Sequence, residues 1–169
     1  MINYQLLKEE EIDDYYNFLT KYFPQLEIRS YEDTCLHLKN DNIVEVNKNN
    51  NEFISIVSYY KLDKYIYIEY LAVNSKYQSI GLGSKTLKYL QNKYSNIILE
   101  VELIEDEITK RRVDFYKRNN FKYNEQEYWI GPINKELNKK VELKLMSYPS
   151  KLNDIEFKNI YNLISSVYK

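Results

Sequence analysis

The chain has 169 residues, of which 44% are hydrophobic and 29% are charged, and its formal net charge is −1. This length is enough for one domain with a hydrophobic core, and the near-zero charge argues against nucleic acid as a partner. The single cysteine, Cys35, excludes an intrachain disulfide, and the single histidine, His37, excludes a metal site built from several histidines. No run of about 18 apolar residues and no signal pattern occur, so we expect a soluble, cytoplasmic single domain over residues 1–169 without a membrane partner.

The first part of the chain predicts one strand and two helices. Residues 2–7 alternate weakly, as in a strand. An acidic run then precedes an apolar stripe of helical spacing, which Pro24 ends. A second, short helix is predicted from Ser30 to about Asn40, with Asp33 in a variant of the capping box.

The middle of the chain changes to the alternation typical of strands. Segments 42–47, 52–62 and 65–73 are predicted as three consecutive strands joined by tight turns, which favours an antiparallel meander. A helix over 83–94 and a strand over 97–103 follow. A strand, a helix and a strand at this length imply a parallel pair of strands.

The last part predicts a helix over 106–119, two strands over 122–133 and 139–147, and a final helix over 153–168. The element order is therefore β-α-α-β-β-β-α-β-α-β-β-α. The expected fold class is α/β (α+β), with a mixed, mainly antiparallel sheet of about six to seven strands flanked by helices.

Two of the three glycines lie where the strand over 65–73 leads into the helix over 83–94. The start of a helix offers free N–H groups and the positive end of the dipole, which together bind anions such as phosphate. A Walker A loop is excluded, because Gln78 stands where its first glycine belongs. A dinucleotide fingerprint is excluded, because Thr86 replaces its third glycine and three antiparallel strands precede it.

The same stretch, Gln78-x-x-Gly81-x-Gly83, resembles the coenzyme A pyrophosphate loop of the GNAT superfamily of N-acetyltransferases. The predicted element order is also similar to that family's order. The resemblance covers roughly residues 2–148 and leaves the helix over 153–168 outside the family core.

A second match follows on the next helix, where Phe115-Tyr116 and Phe121 resemble the family's F-Y-x-x-x-G-F ending. Asn120 stands in place of the glycine. Because Asn is the next-best residue for a left-handed helix end, we expect the same turn.

The resemblance implies transfer of an acetyl group from acetyl-coenzyme A, as co-substrate, to a primary amine of a small molecule or peptide, by direct attack and without a metal. In the family the coenzyme binds the glycine loop and the edge of the fourth strand. The positions that correspond here are Leu71, Ala72, Val73, Gln78, Ser79, Ile80, Gly81, Leu82, Gly83, Ser84 and Lys85.

Three residues are candidates for the chemistry. Glu69 is the only carboxylate in its strand, and alternation predicts that it shares one face with Tyr65, Tyr67, Leu71 and Val73. Glu100 matches the glutamate that serves as base in the branch that acetylates protein N-termini. The choice between the two as base stays open. Tyr116 matches the family tyrosine beside the coenzyme sulfur, which supplies a proton to the leaving thiolate.

The sequence leaves three further questions open. A non-catalytic acyl-coenzyme A binding or regulatory module, or an anion site for another phosphorylated ligand, would use the same loop. The acceptor amine is not identified. The apolar stripe of the helix over 153–168 fits packing on its own domain, a cap over the acceptor cleft, or a homodimer.

Overall fold

The computed structural model describes residues 2–169, which contain an eight-stranded mixed sheet. The strands are β1 (Tyr4–Leu6), β2 (Ile43–Asn49), β3 (Glu52–Leu62), β4 (Tyr65–Val73), β5 (Ile97–Val101), β6 (Lys122–Tyr123), β7 (Tyr128–Ile130) and β8 (Val141–Tyr148). Their order is β1-β2-β3-β4-β5-β8-β6, and β7 also pairs with β8. Within these residues β4–β5 is the one parallel pair, so the predicted meander, the parallel pair and the mixed fold class are confirmed.

Helices cover both faces of the sheet. They are α1 (Ile12–Tyr22), α2 (Tyr31–Lys39), α3 (Leu82–Lys93), α4 (Glu107–Arg118) and α5 (Asp154–Val167). Along β3, Val57 and Tyr59 pack in the core cluster that includes α3 and α4. Ile56 and Tyr60 point to the opposite face, where α1 and α5 supply the partners. The sheet therefore lies between two apolar layers.

The predicted strand over 122–133 is wrong as a single strand. It is broken into β6 and β7, which pair separately with β8. Asn124 lies between them and is buried, and its side-chain Nδ2 donates to the Leu145 carbonyl at 3.1 Å and to Ser147 Oγ at 2.9 Å. A side chain that bonds to the neighbouring backbone in this way diverts the chain, which alternation of apolar residues does not reveal. The strand predicted over 97–103 also ends early, at Val101.

A β-bulge in β4 overturns the prediction that Tyr65, Tyr67, Glu69, Leu71 and Val73 share one face. Tyr59 pairs with Ile68 and Ser58 pairs with Tyr70, so Glu69 is the extra residue opposite this step. The bulge shifts the alternation. As a result Tyr67 packs in the cluster with α5, whereas Leu71 packs against the cluster with α3 and α4.

The parallel ladder between β4 and β5 is short. It runs from the Ile66–Ile97 pair to the Ile68–Leu99 pair and then stops, although β4 continues to Val73. Beyond Ile68, β4 keeps β3 on one edge and has no strand on the other edge among residues 2–169. The two strands therefore separate and leave a cleft.

Helix α3 is tied to the sheet at two levels. Thr86 Oγ1 lies 2.7 Å from the Tyr4 hydroxyl, which also lies 2.8 Å from Ser55 Oγ. Near the other end, the Tyr89 hydroxyl donates at 2.7 Å to Glu45, a buried carboxylate of β2. These contacts fix the helix whose first turn carries the glycine loop.

Helix α5 packs on the sheet of its own chain. Its start is a capping box formed by Asn153 and Glu156. Phe157, Ile160 and Ile164 lie buried in the cluster that also contains Tyr67. Among the described residues, no helix has both the length and the apolar content needed to span a bilayer.

Candidate active site

A cavity of about 820 Å³ occupies the space where β4 and β5 separate. Glu69 lines it from β4, Glu100 from β5 and Tyr116 from α4. The three candidate catalytic residues, which lie on three elements, therefore share one cleft.

The predicted coenzyme-binding residues divide into two sets around this cleft. Those whose atoms line the cavity are Leu71, Ala72, Val73, Gln78 and Gly83. Those that lie in the loop and the first turn of α3 without lining it are Ser79, Ile80, Gly81, Leu82, Ser84 and Lys85. Gln78 connects the two regions, because its Nε2 donates to the Val73 carbonyl at 3.2 Å.

Each glycine of the loop has a distinct structural reason. Gly81 is the N-cap of α3 with φ of 78°, in the left-handed region that glycine adopts without strain. Gly83 faces the Phe115 ring, and a Cβ at this position would lie 2.9 Å from Cζ of that ring. Any side chain at position 83 would therefore require the Phe115 ring to move.

The start of α3 can accept an anionic group. No side chain caps it, so the N–H groups of Leu82, Gly83 and Ser84 are not used by an N-cap side chain. Lys85 is exposed beside them. Together with the free edge of β4, these donors fit the diphosphate and the amide-bearing arm of a coenzyme A ester.

Glu69 is held in a buried ion pair. Its side chain is 4% exposed, and Oε1 contacts Nη1 of Arg29, whose side chain is 5% exposed. Burial opposes the charge of Arg29, but the charge and hydrogen bond of Glu69 raise the pKa of Arg29 above its usual value. The Tyr168 hydroxyl donates to Oε2 of Glu69 at 2.8 Å, and its ring lies 4.8 Å from the Arg29 guanidinium carbon.

Glu100 has a different environment, with no cation in contact among residues 2–169. The Tyr67 hydroxyl hydrogen-bonds to Oε1, whereas Oε2 is buried and has no hydrogen-bond partner among those residues. Burial raises the pKa of Glu100 to about 8, against the effects of the Tyr67 and Tyr128 hydroxyls and with a further contribution from the negative charge of Glu69. A carboxylate with such a pKa is a strong base once ionised.

Tyr116 lies on the opposite wall of the cleft. Its hydroxyl makes no hydrogen bond to residues 2–169, and its ring packs edge-on against Phe115 and Phe121. Burial raises the pKa of Tyr116 to about 12, with Arg112 opposing the shift, so the hydroxyl keeps its proton at neutral pH. Asn120, which follows α4, has φ of 70°, and the predicted left-handed turn is confirmed.

Charged residues of both signs also line the cleft. Glu27, in the segment between α1 and α2, lines it, and so do Lys21, Glu102 and Arg112, which pairs with Glu102. Burial and the charge of Glu102 raise the pKa of Glu27, with Arg112 opposing the shift. This part of the lining is therefore mixed in charge.

Three residues of the site were not anticipated from the sequence. Arg29 lies directly before the N-cap of α2, Tyr67 belongs to the core of β4, and Tyr168 follows the last residue of α5. Tyr67 and Tyr168 are two of 19 tyrosines, and neither belongs to a motif. The polar surroundings of Arg29 in the sequence, between Glu27 and Ser30, also give no sign that this arginine is buried against an acidic partner.

A protein-family model and a curated protein both match this chain. A model described as the acetyltransferase (GNAT) family matches residues 4–121. YjbC of Bacillus subtilis (strain 168), provisionally named an acetyltransferase, is 31% identical over 114 residues, which are 65% of this chain. The aligned part covers 57% of the length of that relative.

Solved structures extend the similarity to the whole fold. A Bacteroides thetaiotaomicron protein, provisionally named an acetyltransferase of the GNAT family, superposes with a TM-score of 0.85 at 25% identity. The alignment covers 95% of this chain and 94% of the other. Arabidopsis thaliana NAA60 in complex with acetyl-CoA superposes with a TM-score of 0.61 at 14% identity, over 88% of this chain and 98% of NAA60, a likeness of fold.

Proposed function

This chain belongs to the GNAT acetyltransferase family, and we propose that it is an N-acetyltransferase that moves an acetyl group from acetyl-coenzyme A to a primary amine of a small molecule or peptide. The observation that supports this most is the cleft between β4 and β5. It brings an anion-binding helix start, a strand edge without a partner, a basic carboxylate and a protonated tyrosine to one space.

The coenzyme would be held by the backbone. The N–H groups at the start of α3 suit its diphosphate, and the unpaired edge of β4 at Leu71, Ala72 and Val73 suits the amides of its arm. A backbone N–H of that edge would also polarise the thioester carbonyl.

The chemistry requires two proton transfers at opposite walls of the cleft. The ammonium of the acceptor gives a proton to ionised Glu100, because a protonated amine has no electron pair for attack. The nitrogen then forms a bond to the acetyl carbon as the carbon–sulfur bond breaks, and it releases its second proton to solvent. Tyr116 gives its proton to the departing thiolate and recovers one from solvent. The products are the acetylated amine and the free thiol.

Glu100 is favoured over Glu69 as the base. Glu69 already pairs with the Arg29 guanidinium. If Glu69 accepted the proton of the amine, it would lose its charge and leave the buried Arg29 cation unpaired. Glu100 has no cation in contact, and its Oε2 has no partner within residues 2–169. In this proposal Glu69 therefore holds Arg29 in place and lines the cleft beside Glu100.

The test is a thiol-release assay with acetyl-coenzyme A over polyamines, aminoglycosides, amino acids and N-terminal peptides. We expect turnover with at least one class. Calorimetry that shows coenzyme binding without turnover on any acceptor would instead identify a non-catalytic acyl-coenzyme A binding module. Absence of coenzyme binding would contradict both readings.

A further inference from the structure

Four side chains form a continuous hydrogen-bonded chain in the part of the cleft that Glu69 and Glu100 line. The Tyr168 hydroxyl donates to Glu69 at 2.8 Å and lies 2.6 Å from the Tyr67 hydroxyl. The Tyr67 hydroxyl contacts Oε1 of Glu100. The residue after α5 thereby joins the two glutamates at the level where the ladder between β4 and β5 has stopped.

The number of available hydrogen atoms limits this hydrogen-bonded chain of side chains. The four side chains make three contacts, but Tyr67 and Tyr168 supply only one hydroxyl hydrogen each. With both glutamates ionised, one contact lacks a hydrogen, and two oxygens 2.6 Å apart would meet with their lone pairs. One additional proton completes the chain: Glu100 donates to Tyr67, Tyr67 to Tyr168, and Tyr168 to Glu69.

The surroundings decide which glutamate carries that proton. Arg29 lies against Glu69, so a proton on Glu69 would leave the buried guanidinium without a counter-charge. Glu100 has no such neighbour, and its Oε2 is buried without a partner among the described residues. The protonated form of Glu100 therefore belongs to the resting state of the pair.

We infer that Tyr168 is a positioning residue for acetyl transfer, whose hydroxyl couples Glu69 to Glu100 through Tyr67 so that the two glutamates share one proton at rest. This inference rests on the proposed function, in which Glu100 is the base. Glu100 first releases the shared proton to solvent, and the acceptor ammonium then gives its own proton to the same carboxylate. Tyr168 acts through Tyr67 and Glu69 and does not touch the reacting atoms.

Removal of one hydroxyl isolates this effect. Tyr168→Phe keeps the ring over Arg29, and it leaves every other charged or titratable group around the chain in place. These groups are Tyr60 on β3, Tyr67, Glu69 and Tyr70 on β4, Tyr128 on β7, and Glu27 and Arg29 between α1 and α2.

The direction of the expected shift follows from the hydrogen count. Without the Tyr168 hydroxyl, protonated Glu100 loses the acceptor at the end of its chain, and ionised Glu100 loses a lone-pair clash. Both changes favour the ionised form. The pKa of Glu100 is therefore expected to fall in Tyr168→Phe, by about half a unit or more.

The test measures this pKa directly in the free protein. Carboxyl ¹³C NMR of protein labelled at glutamate would follow the titration of Glu100, with the signal assigned by its loss in Glu100→Gln. In the parent we expect a midpoint near the raised pKa of about 8. The pH dependence of kcat/KM with one acceptor should show the same shift of its acidic limb in Tyr168→Phe, since acceptor ionisation is common to both proteins.

Two further variants make the test specific. Tyr161→Phe removes a hydroxyl from the same helix that bonds only to the backbone of Trp129, so the Glu100 midpoint should not move. Tyr67→Phe removes the direct donor to ionised Glu100 and should move the midpoint upward. Since Tyr168 acts through Tyr67, an unmoved midpoint in this variant would also overturn the inference, even if Tyr168→Phe is unstable. An unchanged midpoint in Tyr168→Phe, or an equal shift in Tyr161→Phe, would overturn the inference. Because NMR needs no turnover, an inactive protein with the predicted midpoints would contradict the proposed function alone.

Discussion

Two glutamates on neighbouring strands differ in one contact that decides their chemistry. Arg29 lies against Glu69, whereas no cation of residues 2–169 lies against Glu100. Their sequence contexts are alike, since each lies among apolar residues of a strand. The sequence therefore identified both carboxylates, but the choice between them depends on an arginine about 40 residues away along the chain.

Glu100→Gln should remove activity and change the pH dependence of stability. Between the ordinary pKa of 4.5 and about 8, folded Glu100 keeps a proton that the unfolded chain releases, so stability falls as pH rises through this range. Gln does not ionise. The variant should therefore be more stable than the parent at about pH 9, by at most about 5 kcal/mol, and similar to it at about pH 4. Thermal unfolding at both pH values, with the thiol-release assay, checks this, and a variant less stable than the parent at high pH would contradict it.

Tyr116→Phe should keep coenzyme binding and lower turnover by about tenfold or more. In the proposed mechanism the phenol is the proton source for the thiolate, while the ring alone maintains the packing against Phe115 and Phe121. Calorimetry and steady-state kinetics separate the two effects. Tyr123→Phe is the matched control, because that hydroxyl makes no hydrogen bond within residues 2–169 and does not line the cleft. Equal turnover in the two variants would remove Tyr116 from the mechanism.

At the scale of elements, periodicity predicted what depends on local pattern. The three-strand meander, the parallel strand pair and the left-handed turn at Asn120 all follow from residue spacing and turn chemistry. The bulge at Glu69 could not be predicted from residue spacing. One extra residue among apolar side chains leaves the alternation of residue types intact, while it reverses the faces of the sheet to which they point. The contact of Tyr168 with Glu69 could not be predicted either, since it joins residues 99 apart.

The two glycines of the loop should respond differently to alanine. In Gly83→Ala the new Cβ would lie 2.9 Å from the Phe115 ring, so the ring must move and coenzyme affinity should fall by roughly tenfold. Phe115→Leu should restore part of that affinity by making room. Calorimetry of coenzyme A binding to the single and double variants measures the coupling.

Gly81→Ala is the control for this cycle. A Cβ there meets no atom within 4 Å, but φ of 78° makes it strained by about 1 kcal/mol or more. Phe115→Leu should not rescue it. If it rescued both variants equally, the loss would reflect general loosening rather than the contact between the loop and α4.

At the scale of the whole molecule, α5 is part of the core. It lies outside the stretch that the family model matches, yet its apolar stripe packs with residues of β4, β7 and β8. Of the three roles that the sequence left open, packing on its own sheet is observed. Tyr168, directly after the helix, also contacts Glu69 in the cleft. Removal of α5 would therefore expose the core and alter the site.

Ile164→Ala should destabilise the protein by about 2–4 kcal/mol, because Ile164 is fully buried between α5 and the sheet. Ile155→Ala on the same helix should change stability by less than about 0.5 kcal/mol, since Ile155 is 75% exposed. Urea unfolding at two protein concentrations measures both. A small effect for Ile164→Ala would show that α5 does not unfold together with the sheet.

The two levels at which α3 is tied to the sheet have a consequence for ligand affinity. Tyr4 contacts Thr86 one turn after the glycine loop, and Glu45 contacts Tyr89 further along. The N–H groups of the first turn are therefore oriented before any ligand arrives, and little conformational entropy is lost on binding. Part of the affinity for the coenzyme would therefore depend on β1 and β2, two strands that lie on the far side of β3 from the cleft.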